Sequence, residues 1–155
     1  GNENVCYYGR GPHEAYVDRY LSARVARWET TATDNFEHYI RPQENSSHYE
    51  TLWATVSDDS GSGLYFTPYG EKSALCFNAS HFTAADIEAT AHDFELCPRK
   101  ETIVCLDYRF TGISENATIA RAHPERLLTD KHLSFGFKIK PVDIAAIEPF
   151  DEMTV

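Results

Sequence analysis

The sequence lacks most of the features that assign a chain to a class at first sight. Its 4 cysteines form no C-x-x-C pair and show no Cys/His spacing of the kind found in zinc sites. No apolar run approaches the length of a membrane span. Internal repeats and low-complexity tracts are also missing from the 155 residues. We therefore expect one ordinary globular domain, or a large piece of one, without a metal site.

Positive charge is scarce as well. The 14 Lys and Arg residues face 24 Asp and Glu residues, which gives a formal net charge of -10. This is the wrong sign for binding the phosphates of a nucleic acid or an anionic membrane surface, so we expect neither partner. We interpret the four cysteines as free and mostly buried thiols, which favours a cytoplasmic location. A periplasmic or secreted location stays open, because four cysteines can also form two disulfides.

Aromatic residues are abundant, at 13% of the chain, and they occur in short alternating runs separated by turn residues. Such runs predict an all-β protein of antiparallel strands. The turns at 58–63 and 68–70 are expected to close consecutive strands into a meander. The predicted strands are Val5 to Tyr8, Ala23 to Thr31, Tyr49 to Ser57, Gly63 to Pro68, Ala74 to Ala79, Thr102 to Phe110 and Leu133 to Lys140.

One short helix is predicted from Thr83 to Ala91. Thr83 is a candidate N-cap, and Asp86 stands at the position from which it can complete a capping box. The pattern of strands stops near residue 140, so we expect a domain over residues 1–140 and a C-terminal extension over residues 141–155.

Two segments carry a specific resemblance. The first, Tyr8 to Arg19, contains Gly11, Pro12, His13, Glu14, Asp18 and Arg19 and resembles a G-x-G-P-x-E-N-Y-x-D-R motif, with Ala15 in place of the Asn. The second, Tyr39 to Asn45, contains Arg41, Pro42, Glu44 and Asn45 and resembles a Y-x-R-P-Q-E-N motif. Both motifs belong to the C-terminal domain of the large, multidomain β-galactosidases of glycoside hydrolase family 2. Further matches at 77–96 and at 106–112 extend the resemblance to residues 5 to about 140.

The resemblance implies a fold and a set of partners. The family's C-terminal domain is a large antiparallel sandwich like that of galactose mutarotase, about twice the length of this chain, which corresponds to its second half. A half sandwich leaves strand edges and a core face uncovered. We therefore expect it to be covered by the remainder of the enzyme, which comprises a (β/α) barrel domain and the first half of the sandwich, or by self-association.

The resemblance also implies an activity, the hydrolysis of terminal non-reducing β-D-galactose residues, and a division of labour. The family's two catalytic glutamates and its magnesium ligands belong to the barrel domain, so no catalytic residue, metal or cofactor is expected on this chain, and the isolated chain should be inactive. Glu14 and Glu44 are expected to hold turns or to pair with arginines. His13 and His92 are expected to have structural roles.

One loop is expected to touch the substrate. The resemblance places residues 112–119 at the mouth of the active site, where many members carry a Trp that stacks on the sugar. Here the acidic and polar positions are Glu115 and Asn116, and the Trp position falls on Thr118 or Ile119. Neither side chain stacks on a pyranose as an indole does. A free-standing carbohydrate-binding sandwich is the alternative function. A mutarotase-like enzyme is a weaker one, because no His/Glu pair for acid and base is recognisable.

Overall fold

The computed structural model describes residues 1–71, 73–113 and 124–146, and it is an antiparallel β protein with one short helix. The predicted all-β class is confirmed, and each predicted strand overlaps an observed one. The elements are β1 (Asn4–Gly11), β2 (Arg24–Thr31), β3 (His48–Thr51), β4 (Trp53–Ser57), β5 (Ser62–Tyr69), β6 (Leu75–Ser80), α1 (Ala84–Ala89), β7 (Ile103–Asp107) and β8 (Gly136–Asp143).

The larger layer is a five-stranded sheet in the order β2-β1-β4-β5-β8. Its neighbouring strands all pair antiparallel. β1 alternates between partly exposed and buried positions along its whole length, as a strand with one core-facing side should. β4 is buried at every residue, since Trp53 also packs between Tyr8 and Tyr65 on the face turned away from the core.

The smaller layer is a three-stranded sheet in the order β3-β6-β7. Its β6 residues Phe77 and Ala79 pack against the larger sheet, and Val104 and Leu106 of β7 pack at the side of the same cluster. The other members of this core come mainly from β1, β4 and β5: Val5, Tyr7, Ala32, Ala54, Val56 and Phe66. Two sheets packed over one apolar core make the molecule a β-sandwich.

The chain crosses between the two layers at Leu52, and here one prediction was wrong. Tyr49 to Ser57 reads as a single alternating strand, but the structure divides it into β3 in the smaller sheet and β4 in the larger one. At the break, Glu50 adopts a left-handed backbone conformation with φ of 56°, and the β3–β6 register shifts between His48 and Thr51. Leu52 then donates its N–H to the Tyr8 carbonyl at 2.8 Å.

The predicted meander holds for one turn and fails for the next. Residues 58–61 do close β4 and β5 into a hairpin, with Asp58 accepting hydrogen bonds from Ser60 and Ser62. After Tyr69, however, the chain leaves the sheet, and the next strand in sequence, β6, pairs with β3 and β7. The place beside β5 is taken by β8, which arrives from the far end of the chain.

The helix forms as predicted but is shorter, because α1 ends at Ala89. The Thr83 hydroxyl accepts the Asp86 N–H at 3.2 Å, and the Asp86 carboxylate accepts the Thr83 N–H at 2.9 Å, which completes the capping box. No helix in the described part of the chain is both long and apolar enough to span a membrane.

The core face of the larger sheet is covered unevenly. Ile139 of β8 pairs with Phe66 and therefore shares its core-facing side, yet Ile139 is 52% exposed and Phe66 only 5%. Leu64 and Phe137, on the same side, are 37% and 42% exposed. We call Leu64, Phe137 and Ile139 the β8 overhang. The uncovered core face that a half sandwich should show is present here.

The cysteines are free, as expected, but the expectation that they are mostly buried was wrong. Cys76 is buried and Cys6 is partly buried, whereas Cys97 and Cys105 are exposed. The domain boundary predicted at residue 140 stays a prediction. β8 runs to Asp143, a single turn of 3-10 helix covers Ile144–Ala146, and residues 147–155 lie outside the described part.

Candidate functional site

The two family motifs lie against each other at one end of the sandwich. Gly11 ends β1, and the cis peptide bond between Gly11 and Pro12 leads into the segment that carries Glu14, Asp18 and Arg19. The second motif runs across the outer face of β6, where the Asn78 side chain donates to the Asn45 carbonyl at 2.9 Å. Neither motif lies in a regular strand or helix beyond Gly11, so side chains have to hold both in place.

Glu14 is the centre of this contact. Only 3% of it is exposed, and its two carboxylate oxygens contact three donor groups, one from the same motif and two from residues 39–46. One oxygen accepts the Tyr39 hydroxyl and lies 3.0 Å from the Arg19 guanidinium, while the other accepts the Ser46 N–H at 2.9 Å. Of the two expected roles, turn holding or pairing with an arginine, the pairing is confirmed for Glu14 with Arg19. Glu14 ties the first motif to the second.

Ser46 needs this anchor because its backbone is unusual. Its φ of 65° lies in the left-handed region, which serine adopts rarely. The Asn45 amide oxygen accepts the Glu37 N–H at 3.2 Å and the Ser46 hydroxyl, and the Asn45 amide group donates to the Gln43 carbonyl at 2.9 Å. Asn45 therefore stabilises the tight path of the chain around Ser46 from inside the motif.

Tyr16 makes the second link between the motifs. It is 1% exposed, its hydroxyl donates to Glu44 at 3.3 Å, and it accepts the Ser47 N–H at 3.3 Å. Burial of its carboxyl group raises the pKa of Glu44, and the negative charge of the nearby Asp107 raises it further. The Glu44 residue as a whole is nevertheless exposed. Burial raises the pKa of Asp107 too. Ionisation of Glu44 is thus disfavoured by its burial and by the neighbouring Asp107 carboxylate.

His48 connects the motifs to the core. Its ring is stacked on Tyr7 with centroids 4.0 Å apart, its Nδ1 lies 3.0 Å from the Arg10 carbonyl, and its Nε2 lies 2.7 Å from the Asn35 amide oxygen. Complete burial lowers the pKa of His48 to about 4, so the ring is neutral at physiological pH. The Asn35 amide group donates to the Ser46 and Ala79 carbonyls. This polar network is structural, since it is closed off from solvent.

The remaining motif residues are not brought into this network. His13 is exposed and lies 3.1 Å from the Ser22 hydroxyl through its Nε2. Arg41 is exposed while Pro42 is buried, and together they line one side of a surface cavity beside α1. Glu115, Asn116, Thr118 and Ile119 lie outside the described residues. The substrate loop therefore stays a prediction.

The start of that loop is described, and it is tied to the first motif. Asp18 accepts the Ile113 N–H at 3.0 Å, and a cavity of about 320 Å³ beside it is lined by residues 17–22 and Arg126. Sequence reasoning missed Tyr16, Tyr39 and Ser46, and it also missed Asn35 and His48 of the buried network. The two tyrosines stand inside the motifs and could have been found as hydrogen-bond donors, whereas nothing in the sequence marks the backbone of Ser46.

The comparisons with known proteins agree with the motifs. The family model described as "Beta galactosidase small chain" matches residues 1–139. A β-galactosidase of Staphylococcus xylosus is 33% identical over 138 residues, 89% of this chain and 14% of that protein. One of Streptococcus thermophilus is 34% identical over 142 residues, 90% of the chain and 14% of the protein. A β-galactosidase of Lactobacillus delbrueckii subsp. bulgaricus is 33% identical over 119 residues, which are 77% of this chain and 11% of that protein. The chain thus spans about one seventh of the relatives' length or less.

Proposed function

The chain belongs to the β-galactosidase small-chain family, and on that premise we propose that it is the C-terminal part of an enzyme that hydrolyses terminal non-reducing β-D-galactose residues. The observation that carries the proposal is the asymmetry of coverage. Two relatives named as β-galactosidases match 89% and 90% of this chain, while the chain accounts for 14% of the length of each. A segment of that size within a larger hydrolase supplies structure and surroundings to a site built mainly by the rest of the protein.

In this proposal the catalytic glutamates lie outside the chain. A retaining glycosidase needs two carboxyl groups about 5 Å apart that flank the glycosidic bond and can be reached by the substrate. Glu14 is 3% exposed and already accepts from three donors, so a sugar has no access to it. Glu44 accepts a hydrogen bond from the buried Tyr16 hydroxyl and thereby connects the second motif to the first. Their arrangement supports a structural role for both.

The family's magnesium site is assigned, by the same proposal, to the barrel domain outside this chain. Within residues 1–71, 73–113 and 124–146, no three His, Cys, Asp or Glu side chains are grouped closely enough to hold a metal ion. The contribution of this chain to the reaction then has to come through its loops and its contacts.

The β8 overhang is proposed as the surface that the remainder of the enzyme covers. Its three apolar side chains lie on the core-facing side of β5 and β8, and β8 is the edge strand of a five-stranded layer opposite a three-stranded one. The smaller sheet ends at β7, whose outer edge has no strand partner among the described elements. Strands added there would extend the smaller layer over the overhang and bury its apolar area.

The loop of residues 112–119 is proposed to reach the mouth of the active site, with Glu115, Asn116, Thr118 and Ile119 toward the substrate. Its point of departure supports this, because Gly112 and Ile113 leave the domain at the end where both family motifs meet. Replacing Thr118 or Ile119 by Trp in the complete enzyme should then change the Michaelis constant for lactose by more than about twofold. A change of less than about twofold in both variants would contradict the placement of the loop at the substrate.

The proposal is tested by dividing the enzyme. Hydrolysis of o-nitrophenyl β-D-galactoside is measured for the isolated chain, for the complete polypeptide that carries it, and for that polypeptide without the chain. We expect activity from the complete polypeptide alone, and partial recovery when the two parts are mixed. Turnover by the isolated chain that persists in a Glu14→Gln, Glu44→Gln double variant would reveal a catalytic site of its own. A complete polypeptide without activity on galactosides would contradict the assignment.

A further inference from the structure

The tip of the first motif is a rigid two-residue turn that presents Asp18. Arg19 donates its N–H to the Tyr16 carbonyl at 3.0 Å, and Tyr16 donates its own N–H to the Arg19 carbonyl at 3.4 Å, so Val17 and Asp18 form the apex. Both ends of the turn are held from below, Tyr16 by Glu44 and Ser47 and Arg19 by Glu14. Asp18 therefore projects from a fixed base.

The Asp18 carboxylate is fitted closely against Gly112 and Ile113. It accepts the Ile113 N–H at 3.0 Å. Gly112 has a φ of +115°, and a Cβ atom added to it would lie 2.5 Å from the Asp18 carboxyl carbon. A residue with a side chain is excluded there both by the backbone conformation and by the approach of the carboxylate. The hydrogen bond and the glycine are two separate observations of one built contact.

The segments on either side of residues 114–123 are also fastened to each other. Arg109 donates to the Leu127 carbonyl at 2.8 Å, and the Leu128 N–H donates to the Thr111 hydroxyl at 3.3 Å. We call residues 109–113 and 124–128 the loop neck. Arg126 of the neck lines the same cavity as the turn at residues 17–22. The neck is thus one unit, and the Asp18 contact joins it to the first motif.

We propose that Asp18 is a positioning residue for substrate binding: it fixes the direction in which the loop neck leaves the domain. The inference rests on the proposed function, which places the loop at the active site. Asp18 is partly exposed and lies outside the core, so its removal changes the placement of the neck more than the stability of the fold. Misplacement of a substrate-contacting segment weakens binding and alignment of the substrate.

The acceptor oxygen that binds the Ile113 N–H is the feature of Asp18 on which the contact with the neck depends. An asparagine at this position keeps one side-chain oxygen that can accept the Ile113 N–H, whereas an alanine offers none. Asp18→Asn therefore removes the charge and keeps the acceptor and the volume, whereas Asp18→Ala removes all three. Asp34, an exposed carboxylate in the turn after β2, provides the matched control.

Steady-state kinetics of the complete enzyme with lactose tests the proposal. Asp18→Ala should raise the Michaelis constant about fivefold or more with a smaller change in turnover number, while Asp18→Asn and Asp34→Ala stay within about twofold of wild type. A purely structural defect would lower the active fraction and leave the Michaelis constant unchanged. Asp18→Ala kinetics within about twofold of wild type overturn the proposal, and so does an equal loss in the alanine and asparagine variants.

A second measurement judges the contact independently of activity. Amide hydrogen exchange of the peptide that contains Ile113 should accelerate in Asp18→Ala and not in Asp18→Asn, and an unchanged rate in both would contradict the contact. If wild-type enzyme shows no galactosidase activity, the proposed function fails while this exchange result still stands. If Asp18→Ala does not fold, Gly112→Ala decides, since it disturbs the same contact from the other side. An unchanged Michaelis constant in that variant overturns the proposal.

Discussion

Replacing Glu14 by alanine tests the interpretation that this buried carboxylate holds the two motifs together. The substitution removes the acceptor of the Ser46 N–H, the acceptor of the Tyr39 hydroxyl and the ionic partner of Arg19. Ser46 is 1% exposed, so its N–H cannot turn to water instead. We expect the largest single part of the loss from this orphaned donor.

The size of the expected loss in unfolding free energy follows from how buried each partner of Glu14 is. An unsatisfied buried N–H costs about 1–3 kcal/mol. The Arg19 side chain is 41% exposed, so solvent screens its charge and the ion pair contributes about 1 kcal/mol at most. With the lost side-chain packing, Glu14→Ala should lower the free energy of unfolding by about 3 kcal/mol. Glu14→Gln should lower it by about 1 kcal/mol, because the amide oxygen can still accept the Ser46 N–H.

Urea unfolding followed by tryptophan fluorescence measures the effect, since Trp53 is fully buried and reports the loss of the larger sheet. Glu37→Ala is the matched control, because Glu37 lies on the same connecting segment with an exposed side chain, and it should change stability by less than about 0.5 kcal/mol. If Glu14→Ala is as harmless as this control, Glu14 does not hold the motifs together.

Two further predictions concern stability. Glu3 and His81 form an ion pair of 2.6 Å. Burial lowers the pKa of His81, but its hydrogen bonds to the Glu101 carbonyl and to Glu3 outweigh this and leave the pKa above 6.5. Burial raises the pKa of Glu3, yet hydrogen bonds from Thr33 and His81 hold it below 4.5. The pair therefore stabilises fully between pH 4.5 and 6.5, and loses its effect as pH rises through the His81 pKa or falls through that of Glu3. Glu3→Gln should flatten the pH profile of urea unfolding above about pH 6, and an unchanged slope would contradict the pairing. Thr83→Ala, which removes the hydroxyl that accepts the Asp86 N–H at the start of α1, should destabilise the chain by about 1 kcal/mol, whereas Thr83→Ser should not. Equal melting temperatures for both variants would count against the cap.

Local features of the fold could be predicted from the sequence, and the assignment of strands to layers could not. The capping box at Thr83 and the hairpin after β4 depend on residues within a few positions of each other, so the pattern contains the whole cause. The break at Leu52 has no glycine or proline to announce it. It depends on the left-handed backbone of Glu50, whose carboxylate pairs with Arg10 at 2.6 Å from a distant strand.

The candidate site divides in the same way. The acidic and basic residues of the motifs were recognisable, and the pairing of Glu14 with Arg19 lay within one motif, five residues apart in sequence. Tyr39 belongs to the other motif and Ser46 directly follows it, and the Asn35 network joins residues 11 to 44 positions apart. Such contacts are fixed by the packing of two loops against a sheet, which no periodicity in the sequence encodes.

The crossing at Leu52 also locks the registers of the two sheets to each other. A strand that slips by one residue turns every side chain to the opposite face, and an isolated hairpin resists this only through its own pairs. β3 and β4 are joined by the single residue Leu52, so a slip in the smaller sheet would have to be matched by one in the larger sheet. The pairing of Thr51 with Leu75 in the smaller sheet therefore fixes the pairing of Trp53 with Tyr8 in the larger sheet, and the reverse also holds.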